Sequence, residues 1–307
     1  MAAAKKHFPP IVFVLTAVFI WSTGGLFIKL TSLDAYQVTF FRSLLAAITV
    51  LIATRKNGLR INALGIVASI IYAALLFLFV WSTKHGTAAN AIFLQYTAPI
   101  YILILAPFII GEKFHFKDLI TVIFCIGGMS LFFVGQLDVT AYQANLAALG
   151  SGIFLGLYIM LLKHERFAGR QETRDKRQEI QTAPVSRLPS PVSSVVYGNF
   201  LLAVVTAPSG IAALPTITHK DLGAVAFLGI VQIGVAYILF IKGVTGGTRP
   251  LDASIIGFIE PLLNPVWVFL LIGEQPSKWA ILGGAIIITT VAAHTLTQYR
   301  NTIRTKQ

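Results

Sequence analysis

Residues 91–112 read AIFLQYTAPIYILILAPFIIGE, and residues 253–274 read ASIIGFIEPLLNPVWVFLLIGE. The two stretches align without a gap at an offset of 162 residues and share five identities in 22 positions. The identities are Ala91/Ala253, Pro99/Pro261, Ile110/Ile272, Gly111/Gly273 and Glu112/Glu274. Because both copies are apolar, the chain repeats itself within hydrophobic sequence. Internal repeats of this kind are typical of membrane transporters built from two related halves.

Apolar runs of bilayer length follow one another along nearly the whole chain. The composition is 56% hydrophobic and 12% charged, against about 25% charged residues in soluble domains. Each run is close to the ~20 residues that a spanning helix needs, and none alternates as a β-barrel strand would. The sequence therefore predicts an all-α polytopic membrane protein with ten transmembrane helices, at about 10–29, 36–54, 61–82, 87–110, 117–135, 143–162, 191–214, 220–241, 250–272 and 277–298.

The positions of the basic residues predict the orientation of these helices. A net charge of +12 would suggest a nucleic-acid partner for a soluble protein. Here, with the N-terminus inside, the cytosolic segments hold 19 Lys and Arg and the outer segments hold four. The positive-inside rule then places both termini in the cytosol, and we expect no nucleic-acid partner. The first apolar run lacks a small-x-small cleavage site, so we interpret it as an uncleaved helix rather than a signal peptide.

Five helices in each repeat have a geometric consequence. An odd number places the second copy upside down in the membrane, and two inverted copies can exchange conformations, which gives alternating access. Residues 163–190 form a long polar segment of mixed charge with several prolines, which favours a cytosolic linker over a regulatory loop. The predicted units are a cytosolic N-terminus (1–9), the first five-helix repeat (10–135), an outer loop (136–142), the second five-helix repeat with its linker (143–298) and a cytosolic C-terminus (299–307).

Several motifs in these helices carry a family resemblance. They are IWSTGGLFIKL at 20–30, the intramembrane Arg42, Pro99 with Gly111-Glu112, IEPLLNPVWVFLLIGE at 259–274, and Gly283-Gly284. In these features the chain resembles the drug/metabolite transporter superfamily, specifically its EamA-type ten-helix members. The resemblance covers nearly the whole chain except residues 163–190, where it implies a shorter connection. It implies export of amino acids, drugs or other metabolites and does not specify which.

Features that both repeats share are interpreted as structural. Pro99 and Pro261 remove backbone hydrogen bonds at equivalent places and are expected to kink their helices. Glu112 and Glu274 lie at the turn between two helices, where a carboxylate favours the positive N-terminus of the next helix. We therefore predict structural roles for all four residues.

Two charged residues break the symmetry and are candidates for function. Arg42 aligns with Asn199, and Glu260 aligns with Ala98. A charge at the centre of a membrane helix costs roughly 2.5–3.5 kcal/mol on insertion scales and usually faces a cavity or a partner. One interpretation is a buried ion pair, or two separate packing contacts. The other is a pair of cavity charges that meet the substrate or a coupling proton, and the sequence favours neither.

Further polar and aromatic groups in the predicted helices suit a cavity, because lipid offers such groups no hydrogen bond. For two of them, Tyr72 and Tyr237, interhelical hydrogen bonds are favoured over ligand contact. Trp21 lies too far inside its helix for an interfacial belt, although packing alone would also explain it. The candidates for substrate binding or coupling, beside Arg42 and Glu260, are Trp21, Tyr72, Gln95, Tyr96, Gln232, Tyr237 and Asn264.

Two sequence motifs that indicate ATP-driven pumps and metalloenzymes are absent from the chain. The chain has no G-x-x-x-x-G-K-[ST] loop and no HExxH, so we predict neither an ATP-driven pump nor a metalloenzyme, and no metal or cofactor. The leading hypothesis is a secondary transporter in the inner (plasma) membrane of a bacterium. It would export small polar or amphipathic metabolites such as amino acids, with the small-molecule substrate, the lipid bilayer and a coupling proton as partners. The alternative is a membrane-embedded enzyme or a non-transporting receptor.

Overall fold

A computed structural model describes residues 8–55, 59, 61–132, 134, 140–164, 191–272 and 277–304. These residues are helical apart from short connections, and no β-strand occurs among them. In chain order the helices are α1 Pro10–Trp21, α2 Gly24–Leu30, α3 Ala35–Thr54, α4 Ala63–His85, α5 Ala88–Gln95, α6 Ala98–Ile109, α7 Phe116–Phe132, α8 Tyr142–Lys163, α9 Ser193–Ala213, α10 His219–Ala226, a π-helical segment Phe227–Val235, α11 Ala236–Thr245, α12 Pro250–Gly257, α13 Ile259–Ile272 and α14 Lys278–Arg304.

Eight stretches of the described chain are long and apolar enough to cross a membrane. The predicted helices 117–135 and 250–272 are not among them, and α7, within the first of these ranges, has 17 residues. Large apolar side chains point outward on the bundle, with Phe108 84%, Ile52 72% and Val205 65% exposed, as lipid-facing surfaces require. The fold is thus all-helical and polytopic, while the count of ten spans stays a prediction. Most of the predicted linker, residues 165–190, lies outside the described residues.

Three spans are interrupted in mid-course. The interruptions are at Ser22-Thr23 between α1 and α2, at Tyr96-Thr97 between α5 and α6, and at Phe258 between α12 and α13. Hydroxyl groups satisfy the carbonyls freed there: Thr23 Oγ1 donates to Ile20 O at 2.7 Å, and Thr97 Oγ1 donates to Leu94 O at 2.6 Å. Broken backbone is tolerated at membrane depth only where it is buried in protein or lines a cavity.

The two prolines of the repeat lie directly after interruptions. Pro99 is the second residue of α6, and Pro261 is the third residue of α13. The expected kinks are therefore complete breaks, because a proline in the first turn begins a new helix. Tyr96 and Phe258, which precede the two new helices, are 162 residues apart, the offset of the repeat.

The Ile-Gly-Glu sequence at 110–112, which ends the first copy of the repeat, forms the turn that follows α6. Helix α6 ends at Ile109, and Gly111 has a φ of +68°, in the left-handed region that glycine adopts without steric cost. The next amide, Glu112 N, returns to Ala106 O at 3.3 Å and so satisfies a carbonyl of the last turn. Glu274, in the second copy, lies outside the described residues.

Glycines of α8 allow a close approach to the α5–α6 interruption. A Cβ atom at Gly152 would lie 2.8 Å from Gln95 O, and one at Gly156 would lie 3.2 Å from Ala98 O. These backbone oxygens cannot move away without disturbing the interruption. Gly152 and Gly156 therefore allow α8 to pack against the backbone that carries Gln95 and Tyr96.

We expect Gly152→Ala to lower the free energy of unfolding by about 1–3 kcal/mol, the usual cost of overpacking. Gly127→Ala is the matched control, since no atom lies within 4 Å of a Cβ at Gly127 in α7. That change should be neutral or slightly stabilising, because alanine favours a helix over glycine. Denaturant titration in detergent compares the two, and equal midpoints would show that α8 does not need this close approach.

Candidate functional site

A cavity lies in the interior of the bundle beside the interrupted spans. Its free volume is about 40 Å³, room for one or two water molecules. The site must therefore widen before it can hold a metabolite. Apolar side chains that the sequence analysis did not select form one wall: Leu75, Leu76, Phe79, Leu155 and Ile233. The polar and aromatic lining is Trp21, Arg42, Gln95, Tyr96, Gln232, Tyr237 and Glu260.

Arg42, on α3, is a buried cation that forms no ion pair with any side chain that the structure describes. Only 1% of the residue is exposed. Its Nε and Nη1 atoms have no hydrogen-bond partner within the described part of the chain. A guanidinium is seldom buried in this way, because an unmet charged donor carries its full desolvation cost. Two nitrogen atoms, with three N–H groups between them, are thus available to an anionic or polar group that enters the cavity.

The Glu260 carboxyl group accepts a hydrogen bond from a tyrosine at the interruption between α5 and α6. The Tyr96 hydroxyl donates to Glu260 Oε2 at 2.6 Å, and 7% of Glu260 is exposed. Glu260 is the second residue of α13, and Tyr96 directly follows α5. No ion pair joins Glu260 to Arg42 in the structure. The ion-pair interpretation is therefore wrong for this conformation, and Arg42 and Glu260 line one cavity without a direct contact.

An aromatic cluster closes the side of the cavity next to Arg42. The ring centroids of Trp21 and Tyr237 are 4.8 Å apart, and Tyr237 meets Tyr72 edge to face at 4.8 Å. Tyr72 does not line the cavity, and its hydroxyl accepts from Asn199 Nδ2 at 3.1 Å. The structure thus gives Tyr72 the interhelical role that the sequence favoured. Trp21 Nε1 has no hydrogen-bond partner among the described atoms, so its N–H stays available.

The two glutamines that line the cavity differ in their hydrogen bonds. Gln95 Nε2 donates to Ser151 Oγ at 2.7 Å, and that hydroxyl donates to Leu75 O at 3.0 Å, so Gln95 is fixed to α8 and α4. Gln232 Oε1 is buried with no partner in the described residues. Gln232 belongs to the π-helical segment, and Gly229 of that segment packs closely on the Arg42 backbone. The side chain of Asn264 lies outside what the structure describes.

The predicted role of Glu112 needs a correction. Its carboxylate is bound by Arg249, whose Nε donates to Glu112 Oε1 at 3.2 Å, and α7 begins only at Phe116. Arg249 Nη2 also donates to Asp118 Oδ2 at 2.8 Å. Burial alone would lower the pKa of Arg249, but the bond to Asp118 and the charges of Asp252 and Glu112 together raise it above its ordinary value. This cluster could not be predicted from the sequence, because Arg249 is more than 130 residues from Glu112 and Asp118 along the chain.

Comparison with known proteins agrees with this architecture. The model of the EamA-like transporter family matches residues 8–134 and 184–295, which is most of the chain. The chain belongs to the EamA-like transporter family. This assignment confirms the resemblance to the drug/metabolite transporter superfamily and makes the protein a membrane transporter.

Individual EamA relatives match along nearly their full length. The uncharacterized transporter YwfM of Bacillus subtilis (strain 168) is 27% identical over 291 residues, which are 90% of each chain. An uncharacterized transporter of Archaeoglobus fulgidus is 23% identical over 301 residues, covering 92% of this chain and 96% of the relative. A protein crystal structure with 17% identity superposes with a TM-score of 0.71 over 94% of this chain and 97% of the other, which shows a common fold.

Proposed function

We propose that this transporter is a secondary carrier that exports small polar or amphipathic metabolites, amino acids or related compounds, by alternating access. The observation that carries the proposal is the buried guanidinium of Arg42, which lines the central cavity with donors that have no partner among the described residues. A carboxylate or another anionic group of the substrate would accept charge-assisted hydrogen bonds from these donors. A buried charge without a protein partner is expensive, and a ligand that pairs with it explains its presence.

Glu260, which lines the same cavity, suits a cationic or hydrogen-donating group. Glu260 uses Oε2 to accept from Tyr96 and retains further acceptor positions on its carboxylate. A substrate bearing both a carboxylate and an ammonium group would meet both charges, with the apolar wall around Leu75 and Phe79 receiving its side chain. Glu260 is also our candidate for carrying a coupling proton, because a carboxyl in a transport pathway is a typical proton relay.

The repeat supports alternating access. The two segments that match the family model fall in the two predicted halves, 10–135 and 143–298. The interruptions at Tyr96-Thr97 and Phe258 occupy equivalent places in the repeat, and both are next to the cavity. Related halves that hold one central site can exchange conformations, so that the site opens first to one side and then to the other.

Hydrogen bonds near both predicted membrane faces fit a closed intermediate of such a cycle. On the outer side, Lys84 Nζ donates to Thr31 O at 2.9 Å, and Lys29 Nζ donates to Gly86 O at 2.8 Å. On the cytosolic side, Arg249 joins Glu112 and Asp118. A cavity of about 40 Å³ between these contacts is too small for a substrate, so we assign the structure to a contracted state.

The proposed location is the plasma membrane, with both termini in the cytosol. In a Cys125→Ser background, single cysteines replacing Asp138 and Lys220 should react with an impermeant thiol reagent added outside intact cells. A cysteine replacing Arg174 should react only after the cells are opened. The motivating asymmetry is 19 basic residues against four, and the reverse labelling pattern would reject both the orientation and the inverted arrangement.

A membrane enzyme or a non-transporting receptor is the alternative class. Either one would bind a ligand without moving it across a sealed membrane. The direct test is to screen amino acids and related metabolites for thermal stabilisation of the purified protein, and then to measure flux of each stabilising compound into proteoliposomes. Binding without flux above that of empty liposomes would favour the receptor, and chemical conversion of the compound would favour the enzyme.

A further inference from the structure

A groove lies on the outer surface of the bundle between α7 and α14. Its volume is about 1140 Å³, whereas sites for small organic ligands typically have about 300–1,000 Å³. The described residues that line it include none that line the central cavity. One of its two helices, α14, belongs to a span that is long and apolar enough to cross a membrane. The groove is therefore on the part of the surface that meets lipid.

The groove has about the depth of one membrane leaflet. Its lining extends from Lys117 to Phe124 along α7 and from Gln298 back to Ile286 along α14. At 1.5 Å per residue these stretches are about 10 and about 18 Å long, and half of the hydrocarbon core is about 15 Å thick. Beyond the groove the two helices pack directly, because a Cβ atom at Gly128 would lie 3.1 Å from a backbone oxygen of α14. The groove thus begins near one membrane surface and ends near the midplane.

The lining changes from polar to apolar along the groove, as a phospholipid does along its length. The end near the membrane surface has His115, Lys117 and Thr297, which all offer hydrogen-bonding groups. The deep end has Phe124 and Ile286. Phe124 is 57% exposed, so its ring is available to an apolar ligand. A polar headgroup and an acyl chain would each meet side chains of their own kind.

Lys117 gives the surface end of the groove a free positive charge. Its side chain is exposed and forms no ion pair with the residues that the structure describes. The other cation of the lining, Arg249, is already bound by carboxylates, with Nη2 donating to buried Asp118 at 2.8 Å. His294 is engaged as well, because its Nε2 lies 2.8 Å from Asp252 Oδ1. A headgroup with a negative charge would therefore pair with Lys117.

We infer that the groove between α7 and α14 binds one anionic phospholipid of the adjacent leaflet. The phosphate pairs with Lys117, and an acyl chain packs on Phe124 and Ile286. Basic pockets between membrane helices on the cytosolic side bind anionic headgroups in this way, and the proposed orientation places this end of both helices in the cytosolic leaflet. The lipid site is separate from the substrate cavity, and its occupancy does not depend on transport.

Native mass spectrometry of the delipidated protein in detergent tests the site without a transport assay. Phosphatidylglycerol and phosphatidylcholine with identical acyl chains are titrated separately. One phosphatidylglycerol should stay bound at concentrations at which phosphatidylcholine does not. Lys117→Gln should weaken phosphatidylglycerol binding about fivefold, the effect of one lysine beside an anionic membrane surface, and leave phosphatidylcholine binding unchanged. Lys220→Gln, at an exposed lysine in the first turn of α10, is the control and should change neither.

A second pair of variants tests the groove itself. Ala293 lines the groove and Ala292 does not, although both are exposed on α14. Ala293→Trp should fill the groove and lower phosphatidylglycerol binding at least tenfold, whereas Ala292→Trp should bind as wild type does. Equal binding of the two lipids by wild type, or equal phosphatidylglycerol binding by the two tryptophan variants, would overturn the inference. A lipid-free dimer that dissociates in Ala293→Trp would also overturn it, because a second copy would then occupy the groove.

Discussion

Arg42→Gln is expected to stabilise the ligand-free protein and to abolish substrate binding. The change removes a buried cation that lacks a partner among the described residues. The folded protein then no longer bears the desolvation free energy of the guanidinium, so the unfolding midpoint should rise. Binding should fall by roughly 100-fold or more, because losing one member of a desolvated charged pair costs about 2–5 kcal/mol. Thermal unfolding with and without ligand measures both effects on one sample.

Two further variants sharpen this test. Arg42→Lys keeps the charge and loses the planar donor fork, so its affinity should lie between wild type and Arg42→Gln. Arg55→Gln makes the same change at an exposed residue just after the same helix, and should alter neither property. If instead Arg42→Gln destabilises the protein, and adding Glu260→Gln restores both stability and flux, the two residues form a structural unit and the substrate role is rejected.

Arg249→Gln should have the largest effect on stability. It would leave Glu112, Asp118 and Asp252 without their common cation. Because Asp118 is 4% exposed but the Arg249 side chain is 25% exposed, the cost should lie near the lower end of the about 3–5 kcal/mol of a buried pair. Since the pKa of Arg249 is raised, its favourable contribution is present wherever the carboxylates are ionised and is lost only in strong alkali. The unfolding midpoint of Arg249→Gln should therefore be lower across the physiological pH range.

The control for this variant is Lys220→Gln, which removes one exposed positive charge. Its unfolding midpoint should not change. Glu112→Gln should cost less than Arg249→Gln, since the Glu112 side chain is 25% exposed and solvent compensates part of the loss. An Arg249→Gln midpoint equal to that of the control would show that the cluster around Arg249 contributes nothing to holding α7 and α12 together.

Helix positions could be predicted from the sequence because each apolar run must satisfy its own backbone in lipid. The same physics led to Arg42, Glu260 and Gln232, since polar groups in such runs need an interior partner. What could not be predicted was which groups meet. Tyr96 and Glu260 are 164 residues apart, and only the positions of two helix interruptions bring their side chains together.

Two other features left no mark in the sequence. The π-helical segment FLGIVQIGV reads as ordinary apolar helix, and its geometry arises from close packing of Gly229 and Gly234 on α3. The contacts of His294 are the second such feature. Its partners, Asp252 and Thr121, are 42 and 173 residues away, and only tertiary packing joins them.

Flux is the most direct test of the central claim, that the cavity around Arg42 and Glu260 carries a substrate across the membrane. Wild-type protein, Arg42→Gln and Arg55→Gln would be reconstituted at equal density in liposomes loaded with a compound that stabilises the wild type. Uptake of the labelled compound against the internal pool would then be followed. We predict saturable exchange for wild type and Arg55→Gln, and a rate for Arg42→Gln no greater than that of empty liposomes. Equal exchange by wild type and Arg42→Gln would contradict the account.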